Sequence, residues 1–162
     1  MRPPNVQTAR PALMASDGQR LLRATGIVFS VALLVHGADH ARRGLGKLAP
    51  AVFWLGNAQT IGALIALFLV FTRHRWAAAA AIVIGFTSAI GFTVVHLFPE
   101  WGPLSDAFPG AHGHADVTTF SWFAALFEIG ADLAFGAAGV FAFRGQMRLR
   151  QLQAGTRVAG QP

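Results

Sequence analysis

The sequence predicts an all-α membrane protein, a bundle of four transmembrane helices with the N and C termini in the cytoplasm. Hydrophobic residues make up 54% of the 162 residues and charged residues only 12%, which leaves too little polar surface for a soluble domain of this length. The apolar residues are gathered into long segments, as in helices that cross a bilayer. Basic residues collect at alternate ends of these segments, which is typical of a multi-pass protein of the cell membrane.

Turn residues and helix-breaking residues delimit the apolar segments. The four spans are predicted at about 24–41, 51–72, 76–98 and 117–143. Pro50 is well placed to start the second helix, and Pro99 ends the third. The polar segment 1–22 is predicted to be a disordered cytoplasmic tail, and 145–162 a basic cytoplasmic tail. The membrane domain is therefore predicted to comprise residues 23–144.

The distribution of Lys and Arg orients the predicted bundle. Four arginines precede the first span, two lie between the second and third spans, and four follow the last span. The opposite side has three basic residues, Arg42, Arg43 and Lys47. We expect these three to pair with the acids of the long outer loop, Glu100, Asp106 and Asp116. The larger basic group is predicted to face the cytoplasm, and it explains the net charge of +6 without any nucleic-acid partner.

Several spans place ionisable side chains in the same half of the predicted membrane. His36 and His40 form an i, i+4 pair near the end of the first span, and Glu128 and Asp132 form another in the fourth span. His96 lies near the outer end of the third span. A charged carboxylate near the bilayer centre costs roughly 2.5 to 3.5 kcal/mol. We therefore expect these groups to meet in one pocket that excludes lipid.

Imidazole and carboxylate groups together predict a site for a divalent transition metal ion such as zinc, iron or manganese. The expected ligands are His36, His40, His96 and Glu128. Their expected partners, or proton carriers, are Asp39, Asp132 and Asn57. Without a metal ion or a protonated histidine nearby, at least one of the two carboxyl groups in the fourth span should be protonated. In the outer loop, His112 and His114 are expected to have a peripheral role at most.

Three alternatives to a metal site remain open. Haem b bound by His96 and either His36 or His40 is a weaker prediction, because the nearby carboxylates suit it poorly. A non-catalytic accessory or assembly subunit of a membrane complex, or a homo-oligomer, would use the same residues for contacts between helices. A proton relay or proton-coupled transporter would use them as a path into the membrane. The sequence contains no cysteine, which excludes thiolate ligands and disulfides, and no pattern in it predicts nucleophilic catalysis.

The fourth span has two contrasting faces at helical spacing. One face combines its two acids with small residues, Ser121, Ala124, Ala125, Gly136 and Gly139. The other face is apolar and includes Phe123, Leu126, Leu133, Ala137, Val140 and Phe141. We therefore expect the first face to pack inside the bundle and the second to contact lipid.

Overall fold

A computed structural model of the chain describes residues 6–111 and 116–159, and the side chains of 16–111 and 116–155. The described residues form four α-helices, connected by irregular segments and one short 3-10 turn, Leu45–Lys47. These helices are α1 Val6–Arg43, α2 Pro50–Phe71, α3 Ala77–Phe92 and α4 Thr119–Ala159. A π-helical segment, Thr93–Leu97, continues α3 without a break.

All four helices contain a segment that is long and apolar enough to cross a membrane. These segments are Ser16–Arg43, Pro50–Phe71, Ala77–Leu97 and Thr119–Gly155. The predicted number of long apolar helices and their order along the chain are therefore confirmed. The cytoplasmic location of the two termini stays a prediction.

Helices α1 and α4 continue well beyond the predicted ends of the first and fourth spans. Helix α1 already begins at Val6, and α4 runs on to Ala159. The residues after 144 are mostly Arg, Gln, Leu and Ala, which favour helix even where the chain is polar. The extension of α1 packs on α4, since a Cβ atom on Gly18 would lie 3.0 Å from the Cα atom of Ala142. The polar segments next to the predicted spans are helical within the described residues.

Helix α4 packs against both α1 and α3, whereas α2 lies to one side, mainly against α3. Phe29 of α1 and Phe135 of α4 are fully buried and stack with ring centroids 4.8 Å apart. At Gly85, a Cβ atom would lie 2.6 Å from the carbonyl oxygen of Asp132 and 2.6 Å from the backbone nitrogen of Gly136. The backbones of α3 and α4 therefore touch at this glycine, as small residues permit in membrane helices.

The two predicted faces of the fourth helix are confirmed. The buried residues include Ser121, Ala124, Ala125, Glu128, Asp132, Gly136 and Gly139. The exposed large residues include Phe123, Leu126, Leu133 and Phe141. Small and polar side chains thus line the interior of the bundle, and large apolar side chains cover the outside, which suits a lipid environment.

Candidate metal centre

Three imidazole rings meet where α1 ends and α3 passes into its π-helical segment. One ring nitrogen from each of His36, His40 and His96 lies within 4.8 Å of the other two. The ring centroids are 4.6, 5.0 and 5.5 Å apart. His36 and His96 are buried and His40 is half-buried. We call these residues the histidine triad; nitrogens at this spacing can bind one metal ion.

Helix α1 provides two members of the triad from one face. His36 and His40 are four residues apart, and their Nε2 atoms lie 3.0 Å from each other. The ring of Phe92 packs against His36 with centroids 4.7 Å apart, which limits how the His36 ring can turn. The pairing expected from the i, i+4 spacing is therefore present, and an aromatic side chain of α3 supports it.

The third member, His96, is positioned by the π-helical segment and the loop that follows. The last carbonyl groups of a helix have no partner within the helix. Two carbonyls at the end of this segment accept hydrogen bonds from the loop: Asp106 N donates to Val95 O at 3.0 Å, and Phe108 N donates to His96 O at 2.9 Å. The loop is thereby held directly over the imidazole ring of His96.

A backbone carbonyl of the loop also orients the His96 ring. His96 Nδ1 lies 3.1 Å from the carbonyl oxygen of Asp106. Because a carbonyl only accepts, Nδ1 carries the proton, and the lone pair of the neutral ring is on Nε2. A histidine that binds a metal ion through one ring nitrogen usually donates a hydrogen bond from its other ring nitrogen, for example to a backbone carbonyl.

A buried arginine connects the triad to two carboxylates. Arg43 is only 4% exposed. Its Nε donates to Asp39 at 3.0 Å, and its two terminal nitrogens donate to Asp106 at 3.1 and 2.5 Å. Nη2 of Arg43 also lies 3.0 Å from Nδ1 of His40, and the guanidinium group lies 5.2 Å from the ring centroid of Phe108. This contact network joins α1, the loop before α4 and the triad.

The carboxylate of Asp39 connects α1 to α4 and does not face the triad as a ligand. It is buried and accepts hydrogen bonds from Arg42 and Arg43, with a shortest distance of 2.8 Å to Nη2 of Arg42. It also accepts one from the hydroxyl of Ser121 at 3.0 Å. These donors satisfy both of its oxygens, so its role is to position the end of α1 that bears the triad.

Asp106 is a functional candidate that the sequence presented only as an ion-pair partner. One of its carboxylate oxygens lies 3.5 Å from Nδ1 of His96 and 3.9 Å from Nδ1 of His40. Burial raises the pKa of this carboxyl, but hydrogen bonding to Arg43 and the positive charge of Arg43 outweigh burial, so its pKa lies below the usual value. Asp106 is therefore ionised at neutral pH.

The charges around the triad balance one another. Arg42 and Arg43 are matched by Asp39 and Asp106, and no excess positive charge in this group repels an incoming cation. The expectation that outer basic residues pair with loop acids is confirmed for Arg43 with Asp106 and for the exposed Lys47 with Asp116. In the sequence, this network was indicated by three basic residues, Arg42, Arg43 and Lys47, on the side of the predicted bundle that has fewer basic residues.

Glu128 is not part of the metal-binding group that the structure brings together. On α4, Ser121 contacts Asp39 and Phe135 contacts Phe29, so Glu128 comes level with the turn of α1 that contains Ala32 and His36. Glu128 therefore lies deeper than most of the triad and does not complete it. Sequence spacing could not show this, because it does not set the register between two helices.

The remaining predicted residues lie away from the triad or cannot be placed. Asn57 is exposed and donates to the carbonyl of Phe53 in its own helix at 2.8 Å, so the role expected for it as a partner of the metal ligands is not supported. Its neighbour Gln59 donates instead to Ser88 of α3. His112 and His114 lie outside the described residues.

Fold and site together define an all-helical protein with four apolar helices and a three-histidine group that can hold a metal ion. Comparisons with protein-family models, with curated proteins and with solved structures give no match. Any proposal about function therefore depends on the chemistry of the site itself.

Proposed function

We propose that this protein is a multi-pass membrane protein that binds a divalent transition metal ion through His36, His40 and His96. The observation that carries the proposal is the convergence of three ring nitrogens within 4.8 Å at a largely buried position. Neutral imidazole suits zinc, iron and manganese among the available divalent ions. The balanced charges around the triad support binding of a cation there.

The spacing of the first two ligands is close to what a metal ion requires. Two imidazole nitrogens bound to tetrahedral zinc at about 2.1 Å are separated by about 3.4 Å. The Nε2 atoms of His36 and His40 are 3.0 Å apart, so a rotation of the rings that separates them by a few tenths of an ångström suffices. Because the triad supplies only three ligands, one position on a tetrahedral ion stays open, as in sites that exchange a ligand.

Metal binding requires a change in the proton position on His40. A guanidinium group only donates, so Arg43 donates to Nδ1 of His40, and the proton of the neutral ring is on Nε2. That Nε2–H group then donates to Nε2 of His36. To bind a metal ion through Nε2, the neutral His40 ring must move this proton to Nδ1, which lies 3.9 Å from the carboxylate of Asp106. Nη2 of Arg43 must then turn away from Nδ1, because both groups would be donors. Metal binding is coupled to pH because protons compete with the metal ion for the imidazole nitrogens.

The packing of the rings favours a metal ion over haem. His36 packs against His40, His96 and Phe92, with ring centroids 4.6 to 5.0 Å apart. A porphyrin held between His36 and His96 would have to displace these rings from one another. An optical spectrum of the purified protein tests this: a Soret band would support haem instead of a metal ion.

A proton relay is the second candidate function, favoured by one specific observation. The contacts from Arg43 to His40 and from His40 to His36 form a continuous hydrogen-bonded chain directed into the bundle. Histidines in such a chain can pass protons, since each ring has one donor and one acceptor nitrogen. Proton transport across the membrane of liposomes that contain the protein tests this function. Transport that depends on His36 but not on any metal ion would support a proton relay over metal binding.

Metal analysis of the detergent-purified protein tests the main proposal. We expect about one equivalent of Zn²⁺ or Co²⁺ in the wild type after metal removal and reloading, and loss of this equivalent in His36→Ala, His40→Ala and His96→Ala. His74→Ala is the matched control, because His74 is exposed and lies between α2 and α3, away from the triad. Bound Co²⁺ should show the visible absorption of nitrogen ligation in the wild type and the control. A wild type that binds no metal would refute the proposal and favour an accessory subunit.

A further inference from the structure

The metal site leaves the most deeply buried acids of the bundle unexplained. Glu128 and Asp132 are both 0% exposed and lie one helical turn apart on the inner face of α4. All four of their carboxyl oxygens are buried, and none has a hydrogen-bond partner among the described residues. An ionised carboxylate buried in this way is strongly unfavourable. We call these two residues the carboxyl pair.

The helices packed around the carboxyl pair offer it no charge partner. Level with the pair, α1 has Phe29 and Ala32, with His36 as the nearest titratable residue above them. On α3, Gly85 lies against the backbone of Asp132, and the segment 85–92 contains no titratable residue. His96, one turn further along α3, is the nearest one on that side.

The hydroxyl groups near this level are already committed to their own helices. Ser30 donates to Gly26 O at 2.8 Å, Ser88 to Ile84 O at 2.6 Å, and Thr93 to Ala89 O at 2.7 Å. These described side chains therefore give the pair neither a positive charge nor a free hydroxyl donor. Protonation removes the negative charge of a carboxyl group without requiring any partner.

We propose that the carboxyl pair is a proton-binding site that is protonated in the metal-free protein and releases one proton when the histidine triad binds a metal ion. This inference rests on the proposed metal function. The O–H bond of one carboxyl breaks, its electron pair stays on the oxygen, and the proton leaves to the solution, while the metal cation replaces its charge nearby. No electron is transferred. Binding of one metal ion would then be accompanied by the release of one proton from the pair.

The relative positions of the two sites explain the coupling. Glu128 is level with the turn of α1 that ends at His36, so a divalent ion bound to the triad would lie within about two helical turns, or roughly 10 Å, of its carboxyl group. Ala32 of α1 and Ala89 of α3 are buried in this part of the bundle, so little water screens the interaction there. The positive charge of the ion therefore favours the ionised form of the nearer carboxyl.

Infrared difference spectroscopy on the full chain tests the inference directly. The metal-free wild type should show the carbonyl band of a protonated carboxylic acid, shifted by deuteration and removed or halved in Glu128→Gln or Asp132→Asn. Adding Zn²⁺ should reduce this band in the wild type. With a pH-indicator dye, the wild type should release about one more proton per bound Zn²⁺ than the Glu128→Gln/Asp132→Asn double variant.

Controls separate the possible outcomes. The amide variants keep the shape of the side chains, and their retention of Zn²⁺ binding shows that they fold. Asp17→Asn, which changes an exposed acid on α1, should leave the band and the proton count unchanged. Absence of the band from the metal-free wild type, or a band that bound Zn²⁺ does not change, would overturn the inference. If the wild type binds no Zn²⁺, the metal function fails and the linked release with it, whereas the metal-free band still reports separately whether the pair is protonated.

Discussion

Replacing Gly85 by alanine should destabilise the bundle, although alanine favours helix more than glycine does. A Cβ atom at this position would lie 2.6 Å from Asp132 O, 2.6 Å from Gly136 N and 2.8 Å from Gly136 Cα. All three are backbone atoms of α4, so a side-chain rotation cannot relieve the contact. Helices α3 and α4 would have to separate by about 0.8 Å to restore ordinary van der Waals contact.

The expected magnitude follows from two opposing terms. Overpacking a tight interior costs typically about 1 to 3 kcal/mol, and the upper end applies here because the backbone must move. The gain from replacing glycine by alanine within a helix is about 1 kcal/mol. We therefore expect the free energy of unfolding to fall by about 2 kcal/mol in Gly85→Ala.

Gly91 provides a matched control on the same helix. A Cβ atom there meets no atom within 4 Å, so Gly91→Ala should keep the stability or raise it by up to about 1 kcal/mol. Reversible unfolding of the two variants in mixed micelles, followed by circular dichroism, gives the comparison. Equal stability of Gly85→Ala and Gly91→Ala would refute the argument that direct contact between the α3 and α4 backbones sets the packing of the bundle.

Other substitutions test the end of the bundle that contains the triad. Arg43→Leu should lower the free energy of unfolding by about 3 to 5 kcal/mol, because it removes the buried cation shared by Asp39 and the half-buried Asp106. Lys47→Gln, which breaks an exposed pair, should leave thermal unfolding unchanged. Asp106→Asn should weaken Zn²⁺ binding by about 10-fold to 100-fold in a competition assay, since it removes a negative charge beside His96 and His40. Glu100→Gln is the control, and equal weakening by this variant would mean that the total charge of the loop is responsible. Because the pKa of Asp106 is lowered in the folded protein, its contribution to stability is complete above its unfolded pKa of about 3.9 and is lost as pH falls through the folded value. In acid unfolding experiments, Asp106→Asn should not show this part of the decrease in the free energy of unfolding. Zn²⁺ affinity should fall as the pH is lowered through the range in which the imidazoles of the triad become protonated, because protons compete with the metal ion for the ring nitrogens, and a pH-independent affinity would argue against ligation by histidine.

Much of the fold could be predicted because it depends on local properties of the chain. Hydropathy and helix-breaking residues revealed the four spans, since a segment that crosses a bilayer must be long, apolar and helical. The spacing of His36 and His40 predicted that they share a face, and the small residues of α4 predicted which of its faces is buried. Each of these inferences requires only the geometry of a single helix.

The membership of the site depended on relations between helices. Helical periodicity shows that Glu128 faces inward, but the depth at which it lies is set by the register of α4 against α1 and α3. That register follows from backbone contacts such as the one between Gly85 and Asp132. The position of Asp106 depended on a loop that pairs with carbonyls at the end of the π-helical segment Thr93–Leu97.

The amino-acid sequence by itself determined that this chain forms four apolar helices and that the histidines and deep acids within them share inward faces, because helical periodicity is local. Only the tertiary structure decided that three histidines form one group, that Arg43 connects this group to Asp39 and Asp106, and that Glu128 and Asp132 remain apart as an unpartnered pair. The physical reason is that contacts between helices depend on register and on the closeness of the backbones, which many residues determine together.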